Sequence, residues 1–150
     1  MKKSKKLILK NKLSEIEKVD LLLNKISKEW KLSDVDIFEL NLIIEEWVSN
    51  IIFYAFEDDE VHEIAINLNL NLNEDSITII IIDDGQKFNL NDEPVVTDLN
   101  KPITERNPGG LGIHFVKSLC DSVKYSRKNG KNELLLTKII KLKYTYYGKY

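Results

Sequence analysis

Between residues 63 and 72 the chain alternates with a period of two. Ile64, Ile66, Leu68, Leu70 and Leu72 interleave with Ala65, Asn67, Asn69 and Asn71. Successive strand residues point to opposite faces, so this pattern predicts a half-buried strand of an antiparallel sheet. Asn73 to Ser76 is turn-rich, and the run ITIIIID returns as the partner strand; its near-continuous isoleucine predicts a central position. Upstream the period lengthens to three and four. Residues 6–10 predict a short first strand, and Ser14 with Glu17 forms an S-x-x-E capping-box pattern ahead of a helix over 15–30. Ser33 with Asp36 starts a longer helix, marked by Ile37, Leu40, Ile44, Val48, Ile51 and Ala55.

Periodicity disappears over 85–110, a stretch that holds all three prolines, Pro94, Pro102 and Pro108. So long an irregular segment inside a compact domain points to a functional loop or a disordered excursion. A helix over 110–120 follows, then two strands, SVKYSRK and ELLLTKII, joined by the tight turn NGKN. Segregation of helices from strands predicts an α+β fold, a two-layer sandwich with helices on one face of a mixed, mostly antiparallel sheet. No repeat or linker divides the 150 residues, so one domain is expected over 1–150.

Composition narrows the function classes. With 43% hydrophobic and 31% charged residues the chain reads as an ordinary soluble domain. A net charge of -2 supplies no field for nucleic acid or an anionic membrane. The basic ends, MKKSKK and KIIKLKYTYYGKY, carry no binding motif and read as solvated termini. Only Leu7, Ile8 and Leu9 separate the first lysines from Lys10, too few for a signal-peptide core, and no stretch nears the ~20 apolar residues of a spanning helix. A single cysteine, Cys120, excludes an internal disulfide and fits a reducing, cytoplasmic setting; its place on an apolar helix side marks it as packing.

Three clusters are candidates for chemistry. In IIEEWVSNIIFYAF, Glu46 and Asn50 stand four apart and share a helix face. An amide oxygen can ligate Mg²⁺ while a neighbouring carboxylate takes a proton, although a Glu/Asn pair on an amphipathic helix is by itself commonplace. The isoleucine strand ends in DDGQKF, where Asp83 is placed to accept from a ligand's amino group and Gly85 to let backbone come close; Asp-Gly is equally a standard turn. In NPGGLGIHFV, Gly109, Gly110 and Gly112 spend half of the chain's six glycines at a helix start, where free N–H groups bind phosphate well; a hinge or close helix packing would use them too. No G-K-[ST] and no G-x-G-x-x-G after a strand occurs, which excludes Walker-type and dinucleotide loops. Each motif is weak alone. Their order, helix E-x-x-x-N, strand-end D-x-G, long loop, then G-G-x-G, is specific.

In that order, and in the run DDGQKFN … ERNPGGLGIHFVKSLCDSVKY … GKNELLLTK, the chain resembles the GHKL superfamily of ATP-binding domains, which have the Bergerat-type sandwich. Within it the chain most resembles the stand-alone bacterial anti-sigma serine kinases, over roughly residues 12–140. The resemblance implies a general base at Glu46, rather than Glu45, and a Mg²⁺-binding amide at Asn50. It implies that Asp83 reads the adenine amino group, with Gly85 as the first glycine of that box. Gly109, Gly110 and Gly112 would cover the phosphates, the segment between Lys87 and Pro108 would be the ATP lid, and Arg106 would approach the phosphates. Asn132 matches a recurrent position near the final hairpin, its role open. Lys87 stands where relatives often have a second glycine, and Tyr54 where they often have histidine. The implied ligands are ATP and Mg²⁺; the implied partners are an antagonist protein that accepts phosphate on serine, a sigma factor, and a second copy of the chain.

Two other functional classes share part of this pattern. A nucleotide-dependent protein-binding switch without phosphoryl transfer has the same site but no need for Glu46. A histidine kinase needs an acceptor histidine on a separate dimerising helix; His62 precedes a strand pattern and His114 lies inside the glycine-opened helix, so both read as structural or surface residues.

Overall fold

The computed structural model describes residues 2–87 and 116–140. Strand β1 (Lys2–Lys10) leads through a 3-10 turn (Leu13–Ile16) into helix α1 (Glu17–Glu29) and then helix α2 (Asp34–Tyr54). Strands β2 (Glu63–Asn71) and β3 (Ser76–Asp83) follow, and beyond residue 115 come β4 (Ser122–Lys128) and β5 (Lys131–Ile139). The five strands form one sheet in the order β1-β2-β3-β5-β4, and every pairing among them is antiparallel.

The alternation read in 64–72 is the burial pattern of β2: Ile64, Ile66, Leu68 and Leu70 are buried, and the residues between them are not. The isoleucine strand β3 lies third of five, where both of its edges are paired. Its inward set, Ile77, Ile79 and Ile81, packs beneath the helices with Leu40, Ile44 and Val48 of α2. The opposite face of the sheet carries no helix among the described residues. There Asn67 and Asn69 are half-buried, and Asn69 Oδ1 accepts a 2.8 Å hydrogen bond from Ser4 Oγ. Edge strand β1 is studded with Lys3, Lys5, Lys6 and Lys10, and β4 at the other edge with Lys124 and Lys128, charges that discourage pairing with another sheet.

Three features differ from the sequence pattern. β1 begins at Lys2 rather than residue 6, because the lysines pair through their backbone with Asn71 to Asn67 whatever their side chains prefer. Ser14 does not cap α1: it sits inside the 3-10 turn, and α1 starts without a side-chain cap. Glu15 fills part of that place, accepting from the Lys10 backbone N–H at 3.0 Å and pairing with Lys18 at 2.7 Å. The hairpin turn is confined to Asn129 and Gly130, with φ of 53° and 76°, the two-residue Asn-Gly turn whose twist suits paired strands.

The start of α2 follows the sequence closely. Ser33 has extended backbone, and its Oγ accepts from Asp36 N–H at 3.1 Å. Farther along, Glu39 forms an ion pair with Lys138, which is buried on the inward face of β5 and also donates to Leu119 O at 3.2 Å. A buried ammonium is tolerable only when so paired, and this one ties α2, β5 and the helical turn at 116–119 together. Replacing Ser33 by alanine is expected to lower stability by about 1 kcal/mol through loss of the cap. Urea unfolding should report a lower midpoint at an unchanged slope.

Candidate functional site

One row of the sheet, read across its strands, runs Leu9, Ile64, Asp83, Asn132, Arg127. All five lie on the inward face, so the row passes from apolar to charged as it leaves the core. Asp83 is only 5% exposed, and so is Asn132. Its Oδ1 accepts from Gly85 N–H at 2.8 Å and from Asn132 Nδ2 at 3.0 Å. Among the described residues no donor reaches Oδ2. Burial pushes the Asp83 carboxyl above its ordinary range; Asn132, the Gly85 N–H and the Arg127 guanidinium pull it back down, and neighbouring Asp84 pushes with burial.

Asn132 is itself held on every side. Its Nδ2 also donates to Gln86 O at 2.9 Å, and its Oδ1 accepts from Tyr125 Oη and, at 2.8 Å, from Arg127 Nη1. The same Arg127 nitrogen reaches Gly85 O at 3.1 Å.

Gly85 is required by the protein before any ligand. A Cβ there would lie 2.5 Å from Ala55 Cβ, 2.7 Å from Ala55 O and 2.8 Å from Asp83 Oδ1. Such approaches do not occur between real atoms, so the glycine lets the strand end dock on Ala55, the residue that follows α2. Gln86 completes that seam, its N–H donating to Ala55 O and its Nε2 to Tyr54 O, both at 2.8 Å.

Above Asp83 a cavity of ≈ 160 Å³ opens between α2 and the sheet. Asn50, Asp83, Gln86, Lys87 and Asn132 supply its polar lining and Trp47, Tyr54 and Tyr125 its aromatic one. A cavity for an entire ligand measures several hundred Å³. This one therefore suits a single flat ring, with the remainder of the ligand lying outside. Asn50 is 8% exposed, and Glu46 lies half-buried one turn before it on α2, not on the cavity wall. Glu45 turns instead towards Asp20 of α1; burial, the charge of Asp20 and a hydrogen bond to it, and the nearby Glu46 charge together push its carboxyl up. Of the acidic pair, Glu46 is thus the one not engaged with α1. Asn50 offers an amide oxygen, a donor suited to Mg²⁺, which keeps most of its ligands as water and phosphate.

Arg106, Gly109, Gly110 and Gly112 lie outside the described residues, as do His114, the segment 88–115 and the tail 141–150. The cavity joins Asn50, Asp83 and Gly85's neighbour Gln86; it says nothing of those four. Cys120 packs against the core, and burial pushes its thiol up to about 11, which leaves it unreactive.

Sequence reasoning passed over Tyr125 and Arg127, although their alternation in SVKYSRK puts both on one strand face. It also left His62 without partners. The imidazole stacks on Phe56 at 4.2 Å between Asp58 and Asp84, with Nε2 2.7 Å from one carboxylate and Nδ1 2.9 Å from the other. Asp58, Glu60 and His62 bring ligand atoms within 4.8 Å of one another, yet both ring nitrogens are already engaged. The cluster reads as a latch that fastens the α2–β2 loop to the residue beside Asp83.

Comparison with known proteins follows the same lines. A family described as the histidine kinase-like ATPase domain matches residues 9–138. A serine-protein kinase RsbW of Bacillus cereus is 32% identical over 108 residues, covering 70% of this chain and 65% of the relative. Another RsbW, of Oceanobacillus iheyensis, is 28% identical over 113 residues, 73% of this chain and 70% of that protein. The chain thus spans just under two thirds of the first relative's length. The crystal structure of the RsbU and RsbW domains of a Mycobacterium tuberculosis protein superposes with a TM-score of 0.62 at 16% identity, over 92% of this chain and 32% of that one. A histidine kinase domain of Erythrobacter litoralis gives 0.53 at 13% identity, over 85% and 60%. At such identities the two solved structures bear on fold alone: both are helix-on-sheet sandwiches of the kind seen here.

The latch makes stability depend on pH. Hydrogen bonding to Asp58, and secondarily to Asp84, raises the His62 pKa above its ordinary 6.5. Its stabilisation is therefore fully present below pH 6.5 and is lost as pH rises through the folded-state value. Asp58, whose carboxyl His62 lowers, loses its own share only in acid. Urea midpoints of the unaltered protein and of His62→Gln should accordingly differ most between mild acid and pH 6.5 and converge at alkaline pH.

Proposed function

The chain belongs to the histidine kinase-like ATPase domain family, and on that footing we propose that it binds Mg-ATP and transfers the γ-phosphoryl group to a serine of a partner protein. The observation that carries the reading is Asp83. Among the described residues this buried carboxylate accepts only through Oδ1, and it lines a ring-sized cavity, so Oδ2 is the oxygen available to a ligand there. That oxygen suits the exocyclic amino group of adenine.

Trp47, Tyr54 and Tyr125 would hold the base between aromatic and apolar walls. The sugar and phosphates would then leave the cavity along α2, past Asn50 towards Glu46. Mg²⁺, when bound with the nucleotide at Asn50, would supply neutralisation of phosphate charge. Glu46 would accept the proton of the serine hydroxyl as its oxygen forms a bond to the γ-phosphorus and the bond to the ADP oxygen breaks. Phosphoryl transfer asks mainly for alignment and charge compensation, so few side chains are needed. Arg106, Gly109, Gly110 and Gly112 enter the proposal as the phosphate-facing group, from the resemblance in sequence. Two names point to the partner class: the relatives are serine-protein kinases named RsbW. The proposed substrate is an anti-sigma antagonist type of protein, with a sigma factor as a second binding partner and a second copy of the chain as a third. No described helix is long and apolar enough to cross a membrane.

Glu46→Gln is expected to reduce phosphate transfer by roughly a hundredfold or more, the scale of a lost general base, while leaving Mg-ATP affinity within a few-fold. Single-turnover transfer of labelled γ-phosphate to the antagonist protein measures the first, and calorimetric titration the second. Transfer at the original rate would remove Glu46 as base, and no transfer by the unaltered chain would leave a nucleotide-dependent binding switch. Asp83→Asn, which turns half of the acceptor into a donor, should weaken ATP binding by about tenfold or more; equal affinity in the same titration would take Asp83 out of base recognition.

A further inference from the structure

Among the described residues only two charged side chains line the cavity, Asp83 and Lys87. Asp83 is buried and held by two donors, whereas Lys87 is exposed. The lysine nevertheless departs from a fixed point. Gln86, just before it, is tied three times: its N–H donates to Ala55 O at 2.8 Å, its Nε2 to Tyr54 O at 2.8 Å, and its O accepts from Asn132 Nδ2 at 2.9 Å. The end of α2 and strand β5 thus hold the lip of the cavity from both sides.

An exposed lysine commonly pairs with a nearby carboxylate. Asp83 and Asp84 stand four and three positions before Lys87, yet among the described residues no ion pair joins it to either; Asp84 is held by His62 at 2.9 Å instead. The charge around it makes that notable. Residues 32–86, which include α2 and β3, hold fourteen acidic residues and no lysine or arginine. Arg127 of β4 does not line the cavity, and its Nη1 is engaged by Asn132 Oδ1 at 2.8 Å and Gly85 O at 3.1 Å. A polyphosphate lying along α2 therefore meets acid on the helical side, and Lys87 is the cation at the cavity that can offset it.

We propose that Lys87 is a nucleotide-binding residue whose ammonium takes the phosphate next to the ribose, from the sheet side of the site, while Asn50 works from the helical side. The inference rests on the proposed binding of ATP and adds a contact to it. The cavity holds a ring and no more, so the sugar sits at its mouth and the first phosphate is the first anion outside it. The outer phosphates lie farther along α2. A lysine suits the place, since its flexible stem and compact charge follow one phosphate without the fixed fork of a guanidinium. The contact stays open to water, so its strength is modest and salt weakens it.

The test compares the affinities of adenosine, AMP and Mg-ATP, by NMR titration at low and at raised salt, for the full chain and for Lys87→Met and Lys87→Arg. Lys87 is exposed and makes no ion pair among the described residues, so its replacement should leave the fold intact. Lys87→Met is expected to weaken AMP and Mg-ATP about five- to tenfold, between the scale of an exposed ion pair and that of a charge-assisted hydrogen bond, and to leave adenosine within about twofold. Lys87→Arg should recover most of the loss, and raised salt should narrow the gap between Lys87→Met and the unaltered chain. If the unaltered chain binds all three ligands and Lys87→Met binds AMP as tightly as it does, the inference alone is overturned. It is overturned too if Lys87→Met loses adenosine as much as AMP, because the lysine then serves the ring cavity and not a phosphate. An unaltered chain that binds none of the three overturns the reading of the site and this inference with it.

Discussion

A carboxylate taken out of water must find hydrogen bonds within the protein or give up its charge, and the end of β3 is built around that constraint. Asp83 continues the inward face set by Ile77, Ile79 and Ile81, so the strand that forms the centre of the core also delivers an acid to its margin. Two donors make this tolerable. One is the backbone N–H two residues on, which can reach back only because the chain turns sharply at Gly85; the other is the amide of Asn132, brought opposite by the β3–β5 register. The close approach of Gly85 to Ala55 then follows, since the turning strand end has to pass against the residue that follows α2.

The two-layer architecture places the candidate site at a seam. The helical layer carries Glu46 and Asn50 on one turn-to-turn face, and the sheet carries Asp83 and Asn132. Neither layer holds the site alone. Their relative position is maintained by contacts of different kinds at different places: apolar packing of α2 on β2 and β3, the buried Lys138–Glu39 pair at one end of the helix, and the Gln86–Ala55 and Gln86–Tyr54 hydrogen bonds at the other. The His62 latch adds a fastening outside the layers, from the loop after α2 to Asp84.

Much of this was legible in the residues. Strict alternation over 64–72 and the isoleucines of 77–82 gave the strands and their inward faces, because burial on one side of a sheet leaves a period-two trace. Ser33 marked its helix start because capping is a local act between residues three apart. Ser14 carried the same signature and did not cap, since the chain there turns tightly to leave β1 and Glu15 is drawn to Lys10. Asp83 and Asn50 were found by motif and do share a cavity. The surroundings of Asp83 were less visible: Asn132, Tyr125 and Arg127 are 42 to 49 positions away along the chain, and only the strand register shows that Asn132 and Arg127 share its row and that Tyr125 lies in the next. His62 likewise depends on the meeting of Asp58 and Asp84, which lie 26 residues apart in sequence and on different elements. Gly85 was legible as a glycine that matters, but its reason is the neighbouring helix end, which no local pattern reveals.

The Asn129–Gly130 turn has a reach beyond its two residues. Pairing of Arg127 with Asn132 and of Tyr125 with Leu134 is counted from that turn. A single residue inserted or removed there would send every later side chain of β5 to the opposite face, carrying Asn132 out to solvent and Glu133 in against Asp83. Length drift in this loop should therefore be rare among descendants of the chain that retain the acid, even where the amino acids of the loop themselves change.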